Sequence, residues 1–178
     1  MITSDVIIHA CNSAAAIRLP QAHFDMIRCG IAVYGYCQRP QQYTVNLKPA
    51  LRMETSVIHL NSIKKGQTVS YGRKFTADKD IKTAILPIGY SDGFCRCFTN
   101  NASVIINNQP AEVIGAVTMN QIAVNVTDIN GVVPDSRAVV IDDNYNSPCG
   151  VYKLAEKRKT ISYEILTSVP AWAEKIIE

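Results

Sequence analysis

Four stretches of this 178-residue chain hold side chains that could do chemistry. The first is His9-Ala10-Cys11-Asn12-Ser13-Ala14-Ala15, which sets the Ser13 hydroxyl at the start of an expected helix. Unpaired amides and the helix dipole favour a phosphate there, although such a serine can equally serve as an N-cap alone. The second, Ile27 to Gly35, carries Arg28 inside an apolar segment expected to be buried, followed by Gly30 and Ile31. A buried guanidinium needs either a carboxylate or an anionic or aromatic ligand, and Gly30-Ile31 could offer backbone amides to a phosphate. The third, Val69-Ser70-Tyr71-Gly72-Arg73-Lys74-Phe75, sets Tyr71 among small residues with two cations close behind. Nearby positive charge favours an ionised phenol and suits it to carry a proton, while the plainer reading is a half-buried strand tyrosine. The fourth group is Pro87 to Gly93, Met119-Asn120-Gln121 and Ser162-Tyr163-Glu164. Gly89 and Gly93 flank a turn that presents Tyr90 and Asp92, but spacing alone does not assemble these pieces into a site.

The elements expected to position these residues divide the chain in two. Asp5 to His9 is a short apolar run that reads as a buried strand, and Asn12-Ser13 before Ala14-Ala15-Ala16 reads as a capped helix start. Phe24, Met26, Ile27, Ile31, Val33 and Tyr34 then supply a second buried segment. One such βα unit cannot cover both faces of a parallel strand, so residues 1–39 read as the end of something larger. Residues 40–178 are mostly β. Val57 to Leu60, Thr68 to Gly72, Ser103 to Ile106, Glu112 to Val117, Gln121 to Thr127 and Ala138 to Ile141 are short strands. Asn107-Asn108-Gln109-Pro110 is a hairpin connection, and Ile122, Val124 and Val126 share one face opposite Ala123 and Asn125. Helices are expected over Ser91–Phe98, around Val151–Lys157 and in the tail from Ala171. The fold class is mainly β, a barrel or sandwich.

Composition narrows the function. Apolar residues at 47% and charged residues at 19% suit a chain with a packed core, and a net charge of +3 is too small to argue for nucleic acid or a membrane surface. The run from Lys153 to Lys159 is broken by Leu154, Ala155 and Glu156 and reads as a solvated face. Six cysteines show no C-x-x-C spacing, Cys95-x-Cys97 is weak on its own, and the three histidines lack ligand spacing, so no metal site is expected. The absence of an 18-residue apolar run or a leader pattern suggests a cytoplasmic chain with reduced thiols.

In order along the chain, these stretches resemble the fold-type III, PLP-dependent alanine racemases. The resemblance rests on His9 to Ala15, Arg28 to Gly35, Leu47 to Leu51, Val69 to Gly72, Pro87 to Gly93, Met119 to Gln121, Val126-Thr127 and Ser162 to Glu164. It implies a C-terminal β-barrel-like domain, residues 40–178, preceded in residues 1–39 by the last βα/β elements of an incomplete TIM-like barrel. In that family the barrel holds pyridoxal 5'-phosphate on a lysine, and active sites form between the halves of a head-to-tail homodimer. The resemblance assigns Tyr71 as one of two opposed acid/base groups and Arg28 as the partner of the cofactor's pyridine nitrogen, with His9 behind it. It assigns Ser13, Gly30, Ile31 and Tyr163 to the phosphate cradle, Met119 to the substrate carboxylate, and Tyr90, Arg96 and Ile161 to the access channel.

Three departures from the family pattern stand out. Ala116 and Asn120 replace an arginine and an aspartate, and Ala171 replaces an arginine of the C-terminal R-[VI]-P-R. An amide at Asn120 removes a negative charge and adds a donor, as in serine-racemising relatives, so serine joins alanine as a candidate substrate. The cofactor-lysine motif K-x-x-A-Y-G-x-G occurs nowhere in the 178 residues. The expectation is a racemase half that does not bind the cofactor or racemise alone and associates with a barrel-bearing half or as a homodimer. The alternative is a non-catalytic module kept for dimerisation or partner binding. A small nucleic-acid-binding barrel is disfavoured by the modest charge.

Overall fold

The computed structural model describes residues 6–37 and 45–177. The chain forms two compact units, Met1–Leu51 and Arg52–Glu178.

In the first unit, β1 (His9–Asn12) leads directly into α1 (Ser13–Arg18), and β2 (Met26–Arg28) pairs with β1 in parallel. The strand thus begins later than the expected Asp5–His9. Asp5 lies outside the described residues, and residues 6–8 form no regular strand. Ile8 is held instead by Asp25, whose carboxylate accepts from the Ile8 amide at 2.9 Å and whose own amide donates back to the Ile8 carbonyl at 3.0 Å. The helix is capped by Asn12, whose Oδ1 accepts from the Ala15 amide at 3.0 Å, leaving Ser13 as the first helical residue. The apolar second segment is not buried as expected: Phe24, Met26, Ile27, Val33 and Tyr34 are exposed, and Ile31 is buried. Two strands alone cannot cover both faces of a parallel pair.

The second unit is built on seven antiparallel strands. They are β3 (Met53–Ser56), β4 (His59–Ile63), β7 (Ile81–Leu86), β8 (Ser103–Ile106), β9 (Gln109–Ile114), β10 (Ile122–Asn125) and β11 (Arg137–Ile141), with the two-stranded ribbon β5 (Thr68–Val69) and β6 (Phe75–Thr76) between β4 and β7. The large sheet runs β3-β11-β8-β9-β10-β7-β4, a curled half-barrel. β8 and β9 are joined by Asn107 and Asn108, both with positive φ (49° and 61°), which suits a tight two-residue hairpin. The connection is therefore shorter than the expected Asn107–Pro110, and Pro110 lies opposite Ile105 in the ladder. Period-two burial of Ala111 and Val113 on β9 marks the core face, whereas Ala138 to Ile141 on β11 are buried without alternation. On β10, Ala123 is buried along with Ile122 and Val124, so that strand too is covered on both faces. Leu154 and Val151 of α2 (Val151–Arg158) and Ile165 and Leu166 of α3 (Ser162–Thr167) are buried. Each such side chain contributes roughly 1.5–3 kcal/mol.

α2 matches its expected position. α3 was not anticipated, because six residues with one acidic first-turn residue carry little periodicity. The expected helix over Ser91–Phe98 is instead two 3-10 turns, Tyr90–Asp92 and Arg96–Phe98, separated by Gly93 at φ +86°. The tail from Ala171 is not helical, and Trp172, Ile176 and Ile177 are exposed. A segment of seven residues that packs no face against a core does not repay helix nucleation.

Candidate active site

Tyr71 stands on a turn that the backbone holds in unfavourable torsions. Between β5 and β6, Ser70, Gly72 and Arg73 all have positive φ (66°, 68° and 50°), two of them with side chains that disfavour it. Such a segment persists only where its surroundings over-determine it. Ser70 Oγ donates to the Ala116 carbonyl at 2.8 Å, and Asn100 Nδ2 donates to the Lys74 carbonyl at 2.7 Å. The same Asn100 accepts from the Gly115 amide through Oδ1 at 2.6 Å, so one side chain ties the far end of the turn to the bend that follows β9. Gly115 itself (φ +73°) has no room for a side chain: a Cβ would lie 2.8 Å from Ser70 Cβ and from the Val69 carbonyl oxygen. Thr99 continues the clamp, accepting from the Val117 amide at 3.1 Å and donating to the Arg96 carbonyl at 2.8 Å. The product of these contacts is a fixed turn whose phenol is 78% exposed. Tyr71 is therefore not the half-buried packing tyrosine that is the usual strand case.

The fourth group, which spacing could not assemble, is brought together in part. The Tyr90 amide donates to the Thr118 carbonyl at 3.0 Å, and the Ser91 amide and hydroxyl donate to the Met119 carbonyl at 2.9 and 2.6 Å. Gly89 permits this approach, since a Cβ there would lie 2.3 Å from the Thr118 carbonyl oxygen. Asp92 closes the turn by accepting from the Gly89 amide at 2.8 Å, a structural task for its carboxylate. Tyr90 and Met119 thus lie on adjoining backbone, 47% and 56% exposed. Asn120 sits exposed beside Met119 on a turn closed by Thr118 and Gln121, where Thr118 Oγ1 accepts from the Gln121 amide at 3.1 Å. Arg96 is exposed in the second 3-10 turn, Ile161 is exposed at the N-cap of α3, and Tyr163 is half-buried within it. Glu164 beside it accepts from Arg158 at 2.6 Å and from Thr160 Oγ1.

In the first unit the polar residues converge. Buried Ser13 Oγ accepts from the Gly30 amide at 2.9 Å and the Ala32 amide at 3.3 Å. Arg28 hydrogen-bonds the His9 ring through Nη1 and reaches the Ala10 carbonyl through Nη2 at 3.5 Å. Its partners are thus a ring nitrogen and a carbonyl, and β2 is exposed, in place of the buried ion pair that the sequence suggested. Nothing lies within 4 Å of where a Gly30 Cβ would stand, so ligand atoms can come close to that backbone. The Ser13 hydroxyl, the turn backbone at Gly30 and the Arg28 guanidinium are donors that an anionic ligand could meet. Among the described residues no cluster of three His, Cys, Asp or Glu could hold a metal ion, and no helix is long and apolar enough to cross a membrane.

Sequence reading missed Asn100, Ser70 and Gly115, the residues that hold the Tyr71 turn. Asn100 gave one usable signal. It stands in a Thr-Asn-Asn run, and asparagine tolerates the left-handed region that it occupies at φ +52°.

Comparison with known proteins agrees over both units. A family profile described as "Alanine racemase, C-terminal domain" matches residues 50–177, and one described as "Alanine racemase, N-terminal domain" matches residues 2–38. Alanine racemase 1 of Clostridium acetobutylicum is 36% identical over 163 residues, covering 90% of this chain and 42% of that protein. The alanine racemase of Staphylococcus epidermidis is 35% identical, covering 94% of this chain and 44% of its own length. Among solved structures, the Bacillus anthracis alanine racemase with bound L-Ala-P superposes with a TM-score of 0.85 at 29% identity, over 92% of this chain and 42% of that one. The Clostridium difficile alanine racemase in complex with cycloserine gives 0.84 at 28%, over 91% and 43%. The chain spans less than half the length of the relatives it matches. With its C-terminal domain profile matched across residues 50–177, the chain belongs to the alanine racemase family.

Proposed function

We propose that this chain supplies the C-terminal half of an amino-acid racemase and acts only with a barrel that brings the cofactor lysine. The observation that carries this reading is Tyr71, an exposed phenol on a strained but firmly clamped turn, in a chain of this family. Inversion at carbon needs a base on one face of the Cα and an acid on the other. A tyrosine held by its backbone can hold or deliver the proton on one face, and the barrel lysine serves the opposite face. Pyridoxal 5'-phosphate, when bound in the complete enzyme, supplies the electron withdrawal that makes the Cα proton removable.

The chain's own residues fit that cofactor. Ser13, Gly30 and Ile31 would hold the phosphate, with Tyr163 contributing in the complete enzyme, and Arg28 would face the pyridine nitrogen. Because a guanidinium does not give up its proton, Arg28 would donate to that nitrogen without protonating it. The His9 contact fixes the guanidinium. Met119 would meet the substrate carboxylate, and Tyr90, Arg96 and Ile161 would line its approach.

Alanine is the favoured substrate, and serine is a second reading carried by Asn120. The amide can donate to a substrate hydroxyl where an aspartate could only accept. The test is growth of a D-alanine-requiring bacterium. Co-expression of this chain with residues of the C. acetobutylicum relative that form its barrel should remove the requirement, and either half alone should not. Failure of the pair with both halves soluble and associated would favour the non-catalytic module.

A further inference from the structure

Cys95 and Cys97 have no place in the proposed racemase chemistry, yet among the described residues theirs are the only two cysteine sulfurs in contact. Cys97 Sγ donates to Cys95 Sγ at 2.9 Å, and the Cys97 amide donates to the same sulfur at 3.4 Å. The geometry comes from the fold. Cys95 is the extended N-cap (φ −54°, ψ 142°) of the 3-10 turn Arg96–Phe98, and that turn brings residue 97 back over it. Phe98 is buried and its ring lies 4.9 Å from that of Phe94, which fixes the turn to the core. Both sulfurs are reachable: Cys97 is exposed and Cys95 partly so, whereas Cys11, Cys37 and Cys149 are buried. Cys29, in the first unit, is exposed.

We propose that Cys95 and Cys97 form a dithiol modification site that hydroperoxides oxidise to an intramolecular disulfide. The Cys95 sulfur attacks a peroxide oxygen, the O–O bond breaks, and Cys95 becomes a sulfenic acid with release of water. The Cys97 sulfur then attacks the Cys95 sulfur, the S–O bond breaks, and the leaving hydroxide takes the Cys97 proton as a second water. Two thiols lose two hydrogens and two electrons, and one hydrogen peroxide becomes two waters. Cys95 is taken as the first nucleophile because its sulfur accepts from the Cys97 amide at 3.4 Å. Partial burial and the hydrogen bond to the Cys95 sulfur push the Cys97 thiol up to about 11, so it keeps its proton until the second step. Arg158 acts weakly in the opposite sense. Closing the bond moves the sulfurs from 2.9 Å to the roughly 2.05 Å of a disulfide, a short travel at a surface turn.

The test is treatment of the reduced chain with one equivalent of hydrogen peroxide, then alkylation, digestion and mass spectrometry. The Cys95–Cys97 peptide should escape alkylation and lose two hydrogens, whereas Cys29 should form no intramolecular disulfide, as the paired thiols have a large effective concentration for the second step. Dithiothreitol should reverse it. In Cys97→Ser the same peptide should instead carry a sulfenic acid that dimedone traps. Preferential oxidation of Cys29, or free alkylation of both thiols, would overturn the proposal. So would an equal yield of the disulfide in urea, because the pairing would then owe nothing to the turn.

Discussion

Tyr71→Phe, assembled with a barrel half, should lose racemisation by about 10²–10⁴-fold while still exchanging the Cα hydrogen of one enantiomer with solvent. The size is that of one positioned proton-transfer group. Selectivity for one enantiomer is the sharper readout. If two groups work on opposite faces, removing the phenolic oxygen silences one face and leaves the lysine face intact. Deuterium should then enter the enantiomer whose hydrogen faces the lysine, without inversion. Structural damage would not do this, since the ring remains and the turn is clamped by backbone and by Ser70, Asn100 and Gly115. Equal loss of exchange from both enantiomers in the variant would argue that Tyr71 only shapes the site. Near-full activity would remove it from the chemistry.

Gly93→Ala should cost the second unit about 3 kcal/mol or more and lower its midpoint in urea. Two independent effects add. Gly93 sits at φ +86°, where a side chain is strained by about 1–3 kcal/mol. A Cβ there would also lie 2.2 Å from the Ser168 carbonyl oxygen, and backbone cannot swing aside as a flexible side chain can. The cost should appear in the equilibrium unfolding of the purified chain, needing no partner or cofactor. The same substitution at Gly66 (φ +85°) is the control: nothing lies within 4 Å of its Cβ, so only the torsional share is expected. A Gly93 variant no less stable than the Gly66 variant would show that the Ser168 approach is not tight in solution.

Much of the second unit was legible in the sequence because its signals are local. Asn107-Asn108 marks a hairpin, Ile122 and Val124 share a face, and Val151 to Arg158 carries its buried positions Val151, Leu154 and Ala155 at helical spacing. What was illegible depends on distant partners. No local rule places Ser70 and Arg73 in the left-handed region, because what holds them there is Asn100, Gly115 and Ala116, up to 46 residues away. Tyr90 and Met119 meet through backbone hydrogen bonds that leave no periodic trace. In the first unit the errors had one cause. Apolar residues at 24–34 were read as a buried segment, and Arg28 as a buried charge, but the faces of β1 and β2 remain exposed in this chain. Ser13 was legible as a helix-start hydroxyl and misplaced by one position, since Asn12 is the better cap and frees Ser13 to gather the Gly30 and Ala32 amides.

The reading that Tyr71 serves one face of the Cα and the barrel lysine the other rests most directly on where solvent hydrogen goes. The deciding measurement is the conversion of L-alanine in deuterium oxide by this chain, alone and with a barrel half carrying the lysine and pyridoxal 5'-phosphate. The account predicts no D-alanine from the chain alone and, from the pair, D-alanine labelled at Cα from its first appearance. Racemisation by the chain alone, or D-alanine that keeps the original hydrogen throughout, would contradict it.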